Sequence, residues 1–137
     1  MTPVNARVRT AARLAWLTLQ GWLGLVAFDL ALRLGFARAH DWIRSRPARP
    51  SPRTAPSAIE DVVWAVDEAC VWYVKPAVCL QRSAVLAWLL RRHGVAASLV
   101  IGYRAMPFES HAWVEVGDRV VNDRQQYRQA FVVLERI

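Results

Sequence analysis

Two cysteines are the side chains of this 137-residue chain best suited to nucleophilic chemistry. Cys79 lies at the predicted start of a helix that runs to His93, where free backbone N–H groups and the helix dipole stabilise a thiolate. Cys70 lies on the apolar stripe of the preceding predicted helix, which is typical of a small core residue. If the chain is an enzyme, Cys79 is therefore its candidate nucleophile and Cys70 is structural.

A nucleophilic thiol needs a base, and His111 is the strongest candidate among the three histidines. His93 ends a predicted helix, where an imidazolium suits the dipole, and His40 lies in a polar stretch. His111 opens a predicted strand and Asp123 ends the next one, so that this carboxylate can orient the imidazole. Asp118 is the rival acid, but it falls in the predicted hairpin turn, where Asp is common for backbone reasons.

The hairpin turn decides whether this histidine and this aspartate can meet. A two-residue turn at 117–118 would place His111 and Asp123 on opposite faces of the sheet. A three-residue loop over 116–118 pairs Glu115 with Arg119 and places His111 opposite Asp123. We therefore predict a bulged hairpin, with Asp118 near the left-handed region of backbone space.

The order of these three residues does not by itself establish catalysis, because a buried cysteine at a helix start is common. The sequence has no Gly-x-Ser-x-Gly motif, so Ser83 is interpreted as an ordinary helix residue. Gln81 fits a surface helix position better than a role in oxyanion binding. The sequence also has no phosphate-binding loop and no cluster of metal ligands, so we expect no metal and no cofactor.

The sequence predicts a helical region followed by a linker in the first 57 residues of the chain. Residues 11–43 predict a helix with a break near Gly21, Gly24 or Gly35, and its apolar residues fall on nearly all sides, which is typical of a buried helix. Residues 45–57 hold four of the seven prolines and predict a linker or exposed loop.

A second group of helices follows the linker. Ser57 and Glu60 fit a capping box that begins a helix, and Pro76 ends it. We thus divide the chain into a basic, helical N-terminal region with a Pro-rich linker, residues 1–57, and a core, residues 58–137. Strands are predicted at 98–103, 111–116, 119–123 and 131–134, so helices precede an antiparallel sheet in an α+β arrangement.

Composition and charge limit the class of protein. The chain is 55% hydrophobic and 21% charged, which excludes a disordered protein. Residues 1–58 carry nine arginines against two aspartates, whereas residues 59–137 are neutral in sum, so the net charge of +7 belongs to the N-terminal region. We interpret this excess mainly as a solvated face, although an acidic peptide, a membrane surface or a nucleic acid would complement it. No run of 18 apolar residues is free of charge and no signal peptide is evident, so we expect a cytoplasmic protein without a membrane span.

Four segments resemble the leader peptidases that mature lasso peptides, which belong to the transglutaminase-like superfamily of papain-type Cys-His-Asp enzymes. The resemblance is dense over residues 76–123 and rests on Cys79–Ser83, Leu86–Val95, Pro107–Glu115 and Val120–Asp123. The turn departs from the family pattern, since Gly117-Asp118 stands where Asp-Gly is expected.

The resemblance implies a nucleophile helix packed on a small antiparallel sheet, with Cys79, His111 and Asp123 as the catalytic triad. It implies a peptidase that removes the leader from a lasso peptide precursor through a thioester. A separate asparagine-synthetase-like cyclase then uses the freed amine. The family is also linked to ATP dependence, for which this sequence shows no motif.

The resemblance also implies a second protein. A winged-helix domain that recognises the leader has about 80–90 residues, so the 57 residues ahead of the predicted core are too few to contain one. We therefore expect the leader-recognition protein to be a separate chain.

Two alternatives stay open. A transglutaminase-like acyltransferase would share the triad and the thioester but would transfer the acyl group to an amine instead of water. A non-catalytic adaptor would use the basic N-terminal region to bind a peptide or a membrane. We expect no nucleic acid among the partners and do not favour a membrane.

Overall fold

The computed structural model describes residues 3–44 and 56–137. The elements, in chain order, are α1 (Pro3–Arg33), α2 (Phe36–Arg44), α3 (Pro56–Val71), α4 (Cys79–Arg92), β1 (Ala97–Ala105), β2 (Phe108–Val116), β3 (Arg119–Val120), α5 (Tyr127–Ala130) and β4 (Val132–Arg136). The predicted α+β order of helices followed by an antiparallel sheet is confirmed.

The N-terminal helix is interrupted at one of the three glycines that the sequence singled out. Gly35 lies between α1 and α2 with φ +124°, a backbone conformation that residues with a side chain rarely adopt. Gly21 and Gly24 lie inside α1, where the absence of a side chain allows α3 and α4 to pack closely against the helix. A Cβ atom at Gly21 would lie 3.3 Å from Cβ of Ala69 in α3, and one at Gly24 would lie 2.9 Å from Cγ1 of Val85 in α4.

The expectation that α1 is buried on all sides is wrong, because only one face packs against α3 and α4. The buried face carries Leu17, Leu25 and Phe28, and the exposed face carries large apolar side chains, namely Val4, Val8, Trp16, Leu19, Leu23 and Leu30. By length and composition alone, the helix Val4–Arg33 could cross a membrane, with a mean hydropathy of 1.4 over its most apolar window. Core helices of soluble proteins meet the same criterion, so this is weak evidence for a membrane span.

Most of the predicted linker, residues 45–55, lies outside the described residues. The helix that follows begins at Pro56, a residue suited to the first turn because its missing N–H needs no partner there. Ser57 therefore lies within the first turn and not at the cap position that the capping-box prediction assigned to it.

The four strands form one antiparallel sheet in the order β3-β2-β1-β4. Side chains on one face pack under the helices, and those on the other face form a smaller cluster of Val100, Trp113, Val120 and Phe131. The first two predicted strands, 98–103 and 111–116, are longer in the structure, where β1 extends to Ala105 and β2 begins at Phe108. β3 ends at Val120 rather than at Asp123, and the short helix α5 was not predicted.

The predicted three-residue hairpin loop is wrong. The register pairs Val116 with Arg119 and Glu115 with Val120, which leaves Gly117 and Asp118 as a two-residue turn. Gly117 has φ +61°, as the first central residue of a type II′ turn requires. Glu115 does not pair with Arg119. Its side chain is buried on the same face of the sheet as Trp113, where it contacts Arg128.

Candidate active site

Cys79 is the first residue of α4, as the sequence predicted. Val78 before it is extended, and its side chain has no polar atom to cover the free N–H groups of the first turn. The N–H groups of Cys79 and Leu80 are thus available to an anion beside the thiol. Cys79 is partly buried against the main core.

Cys70 has the environment of a structural thiol. It lies near the end of α3, packed against the main hydrophobic core. Burial raises the pKa of the Cys70 thiol, Asp67 raises it further, and Arg82 opposes the shift. The nucleophilic thiolate is therefore disfavoured at Cys70 near neutral pH.

His111 and Asp123 are in direct contact. Nε2 of His111 lies 2.7 Å from Oδ2 of Asp123, and each side chain is 19% exposed. The backbone N–H of Arg124 donates to the other carboxylate oxygen at 2.9 Å, which fixes the plane of the carboxylate. With Nε2 bound in this way, Nδ1 is the ring nitrogen left for a thiol.

Three aromatic rings surround the imidazole. The ring of Tyr127 meets it edge-on at 4.9 Å between centroids, Phe131 lies at 5.9 Å, and Trp113 stacks at 6.3 Å. The sequence did not single out Tyr127 or Phe131, because Tyr127 lies in the four-residue helix α5 and Phe131 is the extended residue that follows it. Packing by these rings restricts rotation of the imidazole.

Contacts along α4 place its N-terminal half beside the part of β2 that carries His111. Nε of Arg91, in the last turn, donates to the carbonyl of Ala97 at 2.8 Å, and Ala97 pairs with Val116. Two turns earlier, Oγ of Ser83 donates to the carbonyl of Ala112 at 3.0 Å. The N-terminal half of α4 thus lies beside Ala112, the chain neighbour of His111, and Cys79 lies one turn before Ser83 on the same helical face.

Neither of the other two histidines pairs with Asp123, and the rival acid Asp118 does not pair with His111. Nε2 of His93 lies 2.9 Å from Oε1 of Gln20, and burial, with Arg92 and Arg13, lowers the pKa of His93. Nε2 of His40 lies 2.9 Å from Oε1 of Glu135. The Asp118 side chain is 99% exposed in the hairpin turn, as its sequence context predicted.

Two helix residues differ from their sequence interpretation. Gln81 is buried and not on the surface, and its Nε2 donates to the carbonyl of Leu25 in α1 at 3.2 Å. Ser83 is buried between β2 and the segment after β3, where it also accepts a bond from Nδ2 of Asn122 at 3.0 Å. Asn122 in turn accepts from the backbone N–H of Val114 at 2.9 Å.

No group of three or more potential metal ligands occurs in the stretches 3–44 and 56–137. The candidate site combines a cysteine at a helix start with a His-Asp pair formed between β2 and the segment after β3.

Comparison with known proteins agrees with this class of fold. The family model of the transglutaminase-like superfamily matches residues 22–136, and the chain belongs to this superfamily. A 59-residue stretch is 44% identical to the microcin J25-processing protein McjB of Escherichia coli. That match covers 43% of this chain and 28% of McjB, so the chain spans under a third of this relative. No solved structure matches the chain.

Proposed function

We propose that the protein is a cysteine peptidase that removes the leader peptide from a lasso peptide precursor, with Cys79 as nucleophile, His111 as base and Asp123 as the orienting acid. The observation that carries the proposal is the bond between His111 of β2 and Asp123, beside the N-terminal half of α4, the helix that begins with Cys79. The similarity to McjB supports peptide maturation as the setting.

The first half-reaction forms a thioester. His111 accepts the thiol proton of Cys79 through Nδ1, and the thiolate attacks the carbonyl carbon of the last leader residue. The tetrahedral intermediate collapses when the C–N bond breaks, and His111 delivers its proton to the leaving amine of the core peptide. Asp123 keeps the imidazole in the required tautomer and stabilises the imidazolium.

The second half-reaction is hydrolysis. His111 takes a proton from water as the water oxygen attacks the thioester carbonyl. The C–S bond then breaks, His111 returns the proton to the thiolate of Cys79, and the leader leaves as a carboxylic acid. In both halves the backbone N–H groups of Cys79 and Leu80 bind the oxyanion. Such donors contribute about 3–4 kcal/mol each to transition-state stabilisation in comparable sites. None of these steps uses a cofactor.

The proposed partners follow from the reaction. The precursor is the substrate, and a separate winged-helix protein holds its leader. The freed core amine is the nucleophile that an asparagine-synthetase-like cyclase uses for ring closure, and we place all of these steps in the cytoplasm.

The test is the mass of the leader product. The purified chain is incubated with precursor and recognition protein, with and without a primary amine such as methylamine. A peptidase releases a leader with a free carboxylate under both conditions. A leader that carries the added amine as its main product would instead establish the acyltransferase alternative.

A further inference from the structure

We infer that Asn122 is a positioning residue that holds Asp123 against His111 and ties this pair to the nucleophile helix. The inference rests on the proposed function for its kinetic readout but not for its structural one. Asn122 is half-buried and lies between β2, α4 and the catalytic acid proposed above.

Asn122 interrupts the β2–β3 ladder with its own side chain. In a regular antiparallel ladder, Val114 and Val121 would exchange two backbone hydrogen bonds. The N–H of Val121 donates to the carbonyl of Val114 at 3.0 Å, as expected. The N–H of Val114, however, donates to Oδ1 of Asn122 at 2.9 Å, so the amide takes the place of the Val121 carbonyl.

This interruption makes the short hairpin compatible with the His-Asp contact. In the register that pairs Val116 with Arg119, a continued ladder would set Asp123 opposite Ala112, whose side chain faces the helices. His111 points to the other face, beside Trp113. Because the ladder stops at Asn122, Asp123 leaves that register and its carboxylate reaches Nε2 of His111.

The same residue connects the acid to α4. Nδ2 of Asn122 donates to Oγ of Ser83, which donates to the carbonyl of Ala112. Nη2 of Arg82 donates to the backbone carbonyl of Asn122 at 2.7 Å. Two consecutive residues of α4, one turn from Cys79, thus hold the segment that carries Asp123.

The kinetic experiment is a double-mutant cycle between Asn122→Ala and Asp123→Ala, measured as leader cleavage with precursor and recognition protein. We expect Asn122→Ala to lower kcat by about 10²-fold with little change in KM, since misplacement by about 1 Å has effects of this size. In the Asp123→Ala background the same change should lower kcat by less than about 3-fold, because its effect operates through Asp123. A full effect in that background would overturn the inference.

Gln125→Ala is the matched control. The Gln125 side chain also bonds the hairpin backbone, accepting from the N–H of Val120 and donating to the carbonyl of Asp118, both at 2.9 Å. It lies toward the turn and bonds neither α4 nor Asp123. We expect Gln125→Ala to keep the wild-type kcat, and a loss equal to that of Asn122→Ala would reduce Asn122 to one of several general hairpin stabilisers and overturn its special role.

The structural readout is the NMR signal of the His111 Nε2–H proton, which the bond to Asp123 protects from solvent exchange. The signal should be present in the wild type and in Gln125→Ala, and absent in Asn122→Ala and Asp123→Ala. Its persistence in Asn122→Ala would refute the inference whether or not the protein cleaves precursor. Loss of the signal together with an inactive wild type would instead uphold the positioning role and remove the proposed function.

Ser83→Ala keeps the test decisive if Asn122→Ala does not fold. This change removes the connection to α4 but leaves the bond between Asn122 and Val114. We expect a loss of about 10-fold in kcat that again disappears in the Asp123→Ala background. An unchanged kcat and an unchanged His111 signal in Ser83→Ala would overturn the tie to α4.

Discussion

The two thiols of this chain are separated by nine positions and by their backbone surroundings. Cys70 packs near the end of a helix, where burial raises its pKa. Cys79 begins a helix, where backbone N–H groups point out of the helix end with no intrahelical acceptor. Because both residues are cysteines, their different backbone positions distinguish the proposed nucleophile from the structural thiol.

The identity of the catalytic acid can be tested with two matched substitutions. Asp123→Asn retains the size of the side chain but cannot stabilise an imidazolium as a carboxylate does. We expect it to lower kcat by on the order of 10²–10⁴-fold. Asp118→Asn, at a fully exposed turn position, should keep wild-type activity. Steady-state assays of leader cleavage by both variants test the assignment. A larger loss of kcat in Asp118→Asn than in Asp123→Asn would mean that Asp123 is not the catalytic acid.

Residue type and local context were sufficient to select Cys79, His111 and Asp123 as candidates. The residues that connect them were not predictable in this way. Asn122 and Ser83 act through bonds to a strand edge and to each other, and these bonds exist only once helix and sheet have packed. Nothing in the periodicity of either segment marks them.

Among the secondary-structure elements, the hairpin of β2 and β3 differs most from its prediction. The three-residue loop was predicted because it brings His111 and Asp123 together along a regular strand. The protein uses a two-residue turn, for which Gly117 supplies the positive φ, and ends the strand early. A ladder broken by a side chain is a tertiary feature, and a helix as short as α5, with four residues, is too brief to produce a periodic signal.

Glu115 links three elements on the face of the sheet away from α4. It accepts from Nη1 of Arg136 in β4 at 2.6 Å, from Nε of Arg128 in α5 at 3.2 Å, and from Nε1 of Trp113 at 2.9 Å. Burial alone would raise the pKa of Glu115, but these hydrogen bonds and the two guanidinium charges outweigh it and lower the pKa below the usual value.

Glu115→Gln should therefore destabilise the protein in a pH-dependent way. A carboxyl whose pKa is lowered by folding stabilises the native state above its unfolded pKa, near 4.5, and this contribution disappears as the pH falls through the folded value. We expect a loss of roughly 2–3 kcal/mol in the free energy of unfolding at pH 7, since the arginines lose their buried partner. Urea unfolding at pH 7 and at pH 3.5 should show a smaller difference from wild type at the lower pH.

Glu109→Gln provides the control for this experiment. Glu109 pairs with Arg104 on the same hairpin but is exposed, so its replacement should change stability by less than about 0.5 kcal/mol. A Glu115→Gln variant as stable as Glu109→Gln at pH 7, or a difference that grows toward low pH, would contradict the role given to the buried carboxylate.

At the scale of the whole molecule, the helical layer has two distinct sides. One face of α1 forms the core with α3 and α4, and the other presents apolar side chains to the surface. The sequence predicted the α+β order but not this division, because α1 is apolar on most sides and only the packing of α3 and α4 selects the buried one. The excess of positive charge also belongs to the first 58 residues.

We expect cleavage to depend on the separate recognition protein. A leader held by a partner reaches an effective concentration of the order of millimolar at Cys79, which corresponds to a gain of about 10²–10⁴-fold in rate. Because the N-terminal region is basic, association with an acidic partner or leader should weaken as salt rises. The measurement is cleavage at low and high ionic strength, with and without the partner. Equal rates in its absence would indicate a self-sufficient protease.

Leader cleavage by two cysteine variants decides whether Cys79 is the nucleophile. Cys79→Ala and Cys70→Ala are purified, checked for native far-UV circular dichroism, and incubated with precursor and recognition protein while mass spectrometry follows the leader and core products. We predict that Cys79→Ala releases no leader, whereas Cys70→Ala cleaves like the wild type and loses only about 1 kcal/mol of stability. Leader release by folded Cys79→Ala at the wild-type rate would show that Cys79 is not the nucleophile.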